Sequence, residues 1–423
     1  MRRDLRVLIL GLAPLLLFGC GERPRANPFD PANPVTGGRP AGFVALAGDG
    51  QVELEWQPTT AAGLLGYQLF RKLVTDTAYK AITGTIAVDQ SSIGDFQLAN
   101  GVEHDYRLYF VFDRGLGSLP AEDFATPGPL EPWVADFGRS AVAQMTADGR
   151  HIASWLPFGI GSPGVGSPTN VAVDPSNAVL WVSTSGGPLI VYSLSTGTAL
   201  DIPQVPSPGA LALDPTSGAV WVCDNVDDAI FHFRFDGSVA SPGQLFNFGN
   251  PLDVAVGPGD RSVWVCEHDG NLVTHFQSDG SGRASATLIA PSRVAVDSVT
   301  REAWVTSFTS GRVYRMSATP AIAESVSFAA GPVGVAVDSR RGRIWVADAT
   351  GGALYALRRD GSIEFSVPGL GTPREVEVDL ASGEAWLTAL NPPRLLRVSA
   401  TGKVLVQTGG FSQPAGLSLG AGP

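Results

Sequence analysis

Tryptophan recurs at Trp133, Trp181, Trp221, Trp264, Trp304, Trp345 and Trp386, a spacing of 40–48 residues, and each is followed by Val or Leu. A second marker keeps step with it. Pro168, Pro208, Pro251, Pro291, Pro332 and Pro373 each precede the next tryptophan by thirteen residues, and Pro414 continues the series. Fifteen residues after each tryptophan comes a turn pair such as Asp236-Gly237 or Asp360-Gly361. Self-similarity at this period marks a unit that is stacked many times and cannot bury its apolar face alone. Within a unit, runs such as Val171-Ala172-Val173-Asp174 are short and apolar on both faces, as suits an inner strand covered on both sides. A turn leads to the tryptophan strand, a third strand follows, and the Asp-Gly turn leads to a fourth. Four strands every forty-odd residues make a propeller blade.

The ends of the repeat region complement each other. Pro414-Ala415-Gly416-Leu417-Ser418-Leu419 has the proline-strand pattern with no tryptophan strand after it, and Trp133-Val134-Ala135-Asp136 has the tryptophan strand with no proline strand before it. Pairing the two closes the ring and removes its open edge. The expected fold is therefore all-β, with a seven-bladed propeller over residues 129–423. Composition agrees: 51 Gly and 32 Pro among 44% apolar and only 16% charged residues fit short strands joined by turns.

The N-terminus reads as an address. Arg2, Arg3 and Arg6 precede an apolar run over 7–18, too short to anchor in a bilayer but suited to the core of a signal peptide. The run ends in Leu17-Phe18-Gly19-Cys20, which resembles the lipobox of bacterial lipoproteins. That resemblance implies removal of residues 1–19 and a lipid on Cys20. With Gly21 rather than Asp next, it implies a place in the cell envelope at the outer membrane. The formal charge of −11 argues against a nucleic-acid partner and against attraction to anionic headgroups, so the lipid is the expected membrane attachment. Residues 20–40 carry five prolines and read as an extended tether.

Residues 41–128 alternate like a small sandwich. The strands Val52-Glu53-Leu54-Glu55-Trp56 and Gly66-Tyr67-Gln68-Leu69-Phe70-Arg71, then Asp95 and the strand carrying Tyr106, resemble a fibronectin type III domain, which implies a spacer. The repeats resemble NHL and virginiamycin B lyase-like propellers, most closely in Pro332-Val333-Gly334-Val335-Ala336-Val337-Asp338 followed by Trp345-Val346-Ala347-Asp348. That group mixes enzymes with binding scaffolds.

Three sets of residues are candidates for the face that carries the loops into the proline strand and out of the tryptophan strand. Asp136, Asp224, Glu267 and Asp348 stand three residues after a tryptophan and suit either turn capping or a ligand. Asp224, Asp227 and Asp228 with Glu267, His268 and Asp269 form an oxygen-rich group of the kind that holds calcium or magnesium, or else a solvated acidic patch. Asn170, Asp253, Arg293 and Glu375 stand two residues after a proline. Gluconolactonase-type propellers hold a divalent metal with a Glu, an Asn and an Asp near the channel, a resemblance that singles out Asn170, Asp253 and Glu375. They come from three non-adjacent blades, and structural lining is the preferred reading. Trp155, beside the Gly-rich run 159–166, suits contact with a partner or glycan, or inward packing.

Glu267 and His268 are the only echo of the histidines and Glu used by the lyases, and no nucleophile motif or phosphate loop appears. Cys223 and Cys266 occupy equivalent places in neighbouring repeats and are expected as buried free thiols, with a disulfide between them the alternative that an oxidising compartment allows. The expected function is a non-catalytic, membrane-tethered interaction protein, without a cofactor, that binds an envelope protein or glycan through the open propeller face. The alternatives are a metal-dependent lactonase or lyase at the channel mouth, with calcium or magnesium, and a structural component of a larger envelope complex.

Overall fold

The computed structural model describes residues 27–117, 119–158, 166–327 and 331–420. The expected signal peptide, the expected lipidation site Cys20 and most of the Gly-rich run lie outside the described residues. The described residues fall into two compact units: those up to Val44 with Glu55–Ser92 and Asp105–Asp123, and Ala45–Leu54 with Ile93–His104 and those from Phe124 on. The segment 41–128 thus contributes to both.

The first unit is built on long strands over Leu64–Leu73 and His104–Phe112, joined into one sheet with the short strands Lys80–Ala81 and Gly115–Leu116. Their alternation buries Tyr67, Leu69, Tyr106, Leu108 and Phe110 on one face. From Asn27 onward the proline-rich segment is not the extended tether expected from its composition. The side chains of Asn27, Asp30 and Asn33 accept hydrogen bonds from backbone N–H groups two residues on, folding the segment into successive turns. Phe29 then packs edge-on to Phe110 and Phe112, with ring centroids 5.0 and 4.8 Å apart.

The second unit contains, among the described residues, seven four-stranded antiparallel sheets, each ordered inner strand, tryptophan strand, third strand, outer strand. The inner strands are Ser167–Asp174, Pro208–Leu213, Pro251–Val256, Arg293–Val296, Pro332–Asp338, Pro373–Val378 and Pro414–Gly420. The last of these pairs with Glu131–Asp136, setting Pro414 opposite Asp136 and Ser418 opposite Trp133. The C-terminal strand thereby completes the first blade. Each inner strand neighbours the next around the axis, and Pro414–Gly420 lies between Pro373–Val378 and Ser167–Asp174, so the ring is closed. The fold is an all-β, seven-bladed propeller.

Apolar burial runs from blade to blade. Trp181 packs against Val220, Val222 and Phe233 of the next blade, Trp345 against Val376, Leu387 and Leu396, and Trp386 against Val134, Met145 and Leu417 of the first. The expected turns are present: Gly237 and Gly361 take φ of +81° and +78°, while Asp236 and Asp360 accept hydrogen bonds from the serines two residues on. On the side opposite the open face, arginines tie blades together. Arg261 Nε donates to Asp214 at 2.6 Å, and Arg359 donates to both oxygens of Asp297. Trp345→Ala removes a fully buried indole from a blade interface and is expected to cost about 3–5 kcal/mol in denaturant unfolding, against less than about 1 kcal/mol for an exposed control such as Leu405→Ala.

Candidate functional site

Alternation of strand direction puts two sets of loops on the open face: those entering the inner strands and those leaving the tryptophan strands. The acidic residues that end four tryptophan strands lie where these loops meet. Asp136 accepts hydrogen bonds from the backbone N–H of Ser412 and Gln413, both at 2.7 Å. Asp224 accepts from Ser207, Val226 and Asp227, and Asp348 from Gly331, Thr350 and Gly351, all between 2.8 and 3.2 Å. Glu267 accepts from Gly249 N at 2.9 Å and from the Thr274 hydroxyl. All four are buried. Each side chain fastens the start of its blade's inner strand to the end of the tryptophan strand, the capping role that Asp fills in turns.

The acidic group on the third and fourth blades is organised around Asn250. Its N–H donates to Asp228 Oδ1 at 2.8 Å and its side-chain amide to Asp269 Oδ2 at 3.1 Å. His268 Nδ1 lies 2.8 Å from Asp269 Oδ1. The hydrogen bonds from His268 and Asn250 hold the Asp269 carboxyl below its ordinary range. Among the described residues no group of three or more His, Cys, Asp or Glu is placed to hold a metal ion together. Trp155 is half-buried in the outer strand Ile152–Pro157, edge-on to Phe411 at 6.0 Å and under the Arg139 guanidinium at 5.0 Å, so its ring packs onto the first blade. His232 and His275 lie against Trp221 and Trp264, and burial lowers the pKa of both. Cys223 and Cys266 are buried free thiols, raised well above their ordinary pKa by burial.

The third set of candidates lines the axis. Inner-strand residues of all seven blades enclose a lumen of about 480 Å³, and a mouth of about 390 Å³ opens above it. Asn170, Arg293 and Glu375 border both spaces, and Asp253 lines the lumen. Arg293 Nε lies 3.3 Å from Glu375 Oε2, Asp253 Oδ2 accepts from Val294 N at 2.8 Å, and the Asn170 side-chain oxygen accepts from Val171 N at 2.8 Å. The candidate metal set, for which structural lining was the preferred reading, therefore has the protein's own cation in its midst. Burial would discharge that guanidinium, but Glu375 and Asp253 outweigh it and raise its pKa. Burial likewise pushes Asp253 up to about 7, with Arg293 opposing and Glu375 reinforcing the shift.

Sequence reasoning missed Glu377, two residues deeper on the strand that carries Glu375. The matching positions of the other blades are Ala172, Ala212, Ala255, Ala295, Ala336 and Ser418, and all seven residues line the lumen. Alignment of the seven repeats on their prolines exposes Glu377 as the one charged residue at a position otherwise held by Ala or Ser. Burial, aided by Glu375 and Asp253, pushes the Glu377 carboxyl up to about 8.

No family model matches the chain. No curated protein matches it either. A functionally unknown protein from Desulfotomaculum acetoxidans DSM 771 aligns with a TM-score of 0.57 at 12% identity, covering 69% of this chain and 99% of that one. A nidogen/laminin complex structure (TM-score 0.46, 14% identity, 69% and 99% covered) and Kuenenia stuttgartiensis hydrazine synthase (0.48, 13%, 55% and 76%) are also similar. At such identities the likeness is one of fold.

Removing an open-face carboxylate strands buried N–H donors. Asp348→Ala is expected to lower unfolding free energy by about 1–3 kcal/mol, without added metal, in a denaturant titration. Unchanged stability would contradict the capping role.

Proposed function

We propose that the protein is an interaction module of the cell envelope, held to the outer membrane by a lipid on Cys20, whose open propeller face docks another protein. The observation that carries this reading is a set of exposed apolar side chains on three consecutive blades. Val226, Phe246, Ile289 and Phe308 are each more than half exposed, and all lie in loops of the open face. Exposed large apolar groups gathered in one sector mark contact surfaces more often than chance, and aromatic anchors are typical of them. Asp227, Asp228 and Asp269 are exposed in the same sector, so a partner with basic groups around an apolar centre is the complementary one.

The chemistry of the site supports docking over catalysis. The open-face carboxylates are engaged with backbone N–H groups, and the axial ones surround Arg293. The segment 41–128 acts in this reading as a fibronectin type III-like spacer, and the blades as NHL-like repeats. No helix among the described residues is long and apolar enough to cross a membrane.

Phe308→Asp and Ile289→Asp place charge on the docking surface without touching the core. In cross-linking and pull-down from the native envelope, each is expected to lower partner recovery by about tenfold or more, while Val299→Asp on the opposite face leaves it unchanged. Equal recovery by all three variants would overturn the reading.

A further inference from the structure

The lumen combines three features that together describe a ligand. Its middle ring is made of small side chains: five alanines and Ser418, with Glu377 as the one acid. Glu377 has no hydrogen-bond or ion-pair partner among the described residues, although Asp253 and Glu375 just above it do. The charges do not balance, since three carboxylates face a single guanidinium, that of Arg293. A carboxyl in an apolar-walled space either keeps a proton or takes a cation.

We propose that the lumen is a binding site for a small organic ammonium ion, its charged head held by Glu377 and its hydrocarbon body lying along the alanine ring. This goes beyond the docking reading and stands whether or not the open face binds a protein. The volume of about 480 Å³ falls within the range of small-molecule sites, and the lining side chains other than Asn170, Asp253, Arg293, Glu375, Glu377 and Ser418 are apolar. An ammonium group carries three donors. Glu377 offers acceptors for them, whereas the Ser418 hydroxyl already accepts from the Val173 N–H at 3.1 Å. Calcium and magnesium require about six oxygens, which one acid in a ring of alanines does not provide. An anion would meet the net negative charge, and an uncharged apolar ligand would leave the carboxyl unpaired.

The test is calorimetric titration of the full chain, purified in detergent, with n-butylammonium chloride, using n-butanol as the uncharged control. Expected are saturable one-site binding of butylammonium and no binding of butanol. Glu377→Gln keeps the shape and removes the charge, and is expected to abolish binding. Ala255→Leu fills the lumen from the opposite wall with every carboxylate in place, and is expected to do the same even if Glu377→Gln fails to fold. Absence of saturable binding to the wild-type chain, or binding undiminished in both folded variants, would overturn the proposal.

Discussion

The propeller depends on a hand-over of apolar surface. Each blade sends one tryptophan into its neighbour, so no blade buries its own indole and each relies on the next. Trp133 inserts among Val171, Leu180 and Val182, and six further indoles repeat the arrangement until Trp386 meets Val134 and Leu417 of the blade where the series began. Such a chain of dependence is satisfied only by a closed ring, which is why the strand Pro414–Gly420 is indispensable. Without it, Glu131–Asp136 would be an unpaired inner edge facing the lumen. The indole N–H groups of Trp133, Trp181, Trp264, Trp304 and Trp345 are buried without a hydrogen-bond partner among the described residues. Ring burial must therefore outweigh that loss at each position.

This dependence explains what was legible in the sequence. The proline strand and the tryptophan strand pair at a constant register, with Ala336 opposite Trp345 and Ala255 opposite Trp264, so a fixed thirteen-residue interval is a direct image of the hairpin between them. Blade number and closure followed from counting two local markers. The segment from Asn27 was misread because its prolines suggest extension, whereas its outcome was set by side-chain-capped turns and by Phe29 finding Phe110 and Phe112, some eighty residues away.

The candidate site was legible in residue types and not in roles. Asp136, Asp224, Glu267 and Asp348 were located by their distance from tryptophan, yet whether such a carboxylate caps a turn or meets a ligand depends on which N–H groups approach it. Those come from segments such as Ser412 and Gln413, more than 270 residues along the chain. Asn170, Asp253 and Glu375 were likewise found, but the ion pair between Arg293 and Glu375 spans 82 residues and appears only once the fifth and seventh blades share an axis. The same fold gives its carboxylates opposite tasks. At the rim they receive backbone donors and stabilise loops, whereas along the axis burial leaves them partly uncompensated, and Glu377 entirely so.

Ring closure is the claim on which the blades, the open face and the lumen all rest, and native-state hydrogen exchange tests it most directly. Peptides covering Pro414–Gly420 are expected to be protected to the same degree as those covering Pro332–Asp338, because each is the inner strand of its sheet, hydrogen-bonded along one side to a tryptophan strand. Exchange of the C-terminal segment at the rate of an unstructured tail would contradict the closed propeller and every surface derived from it.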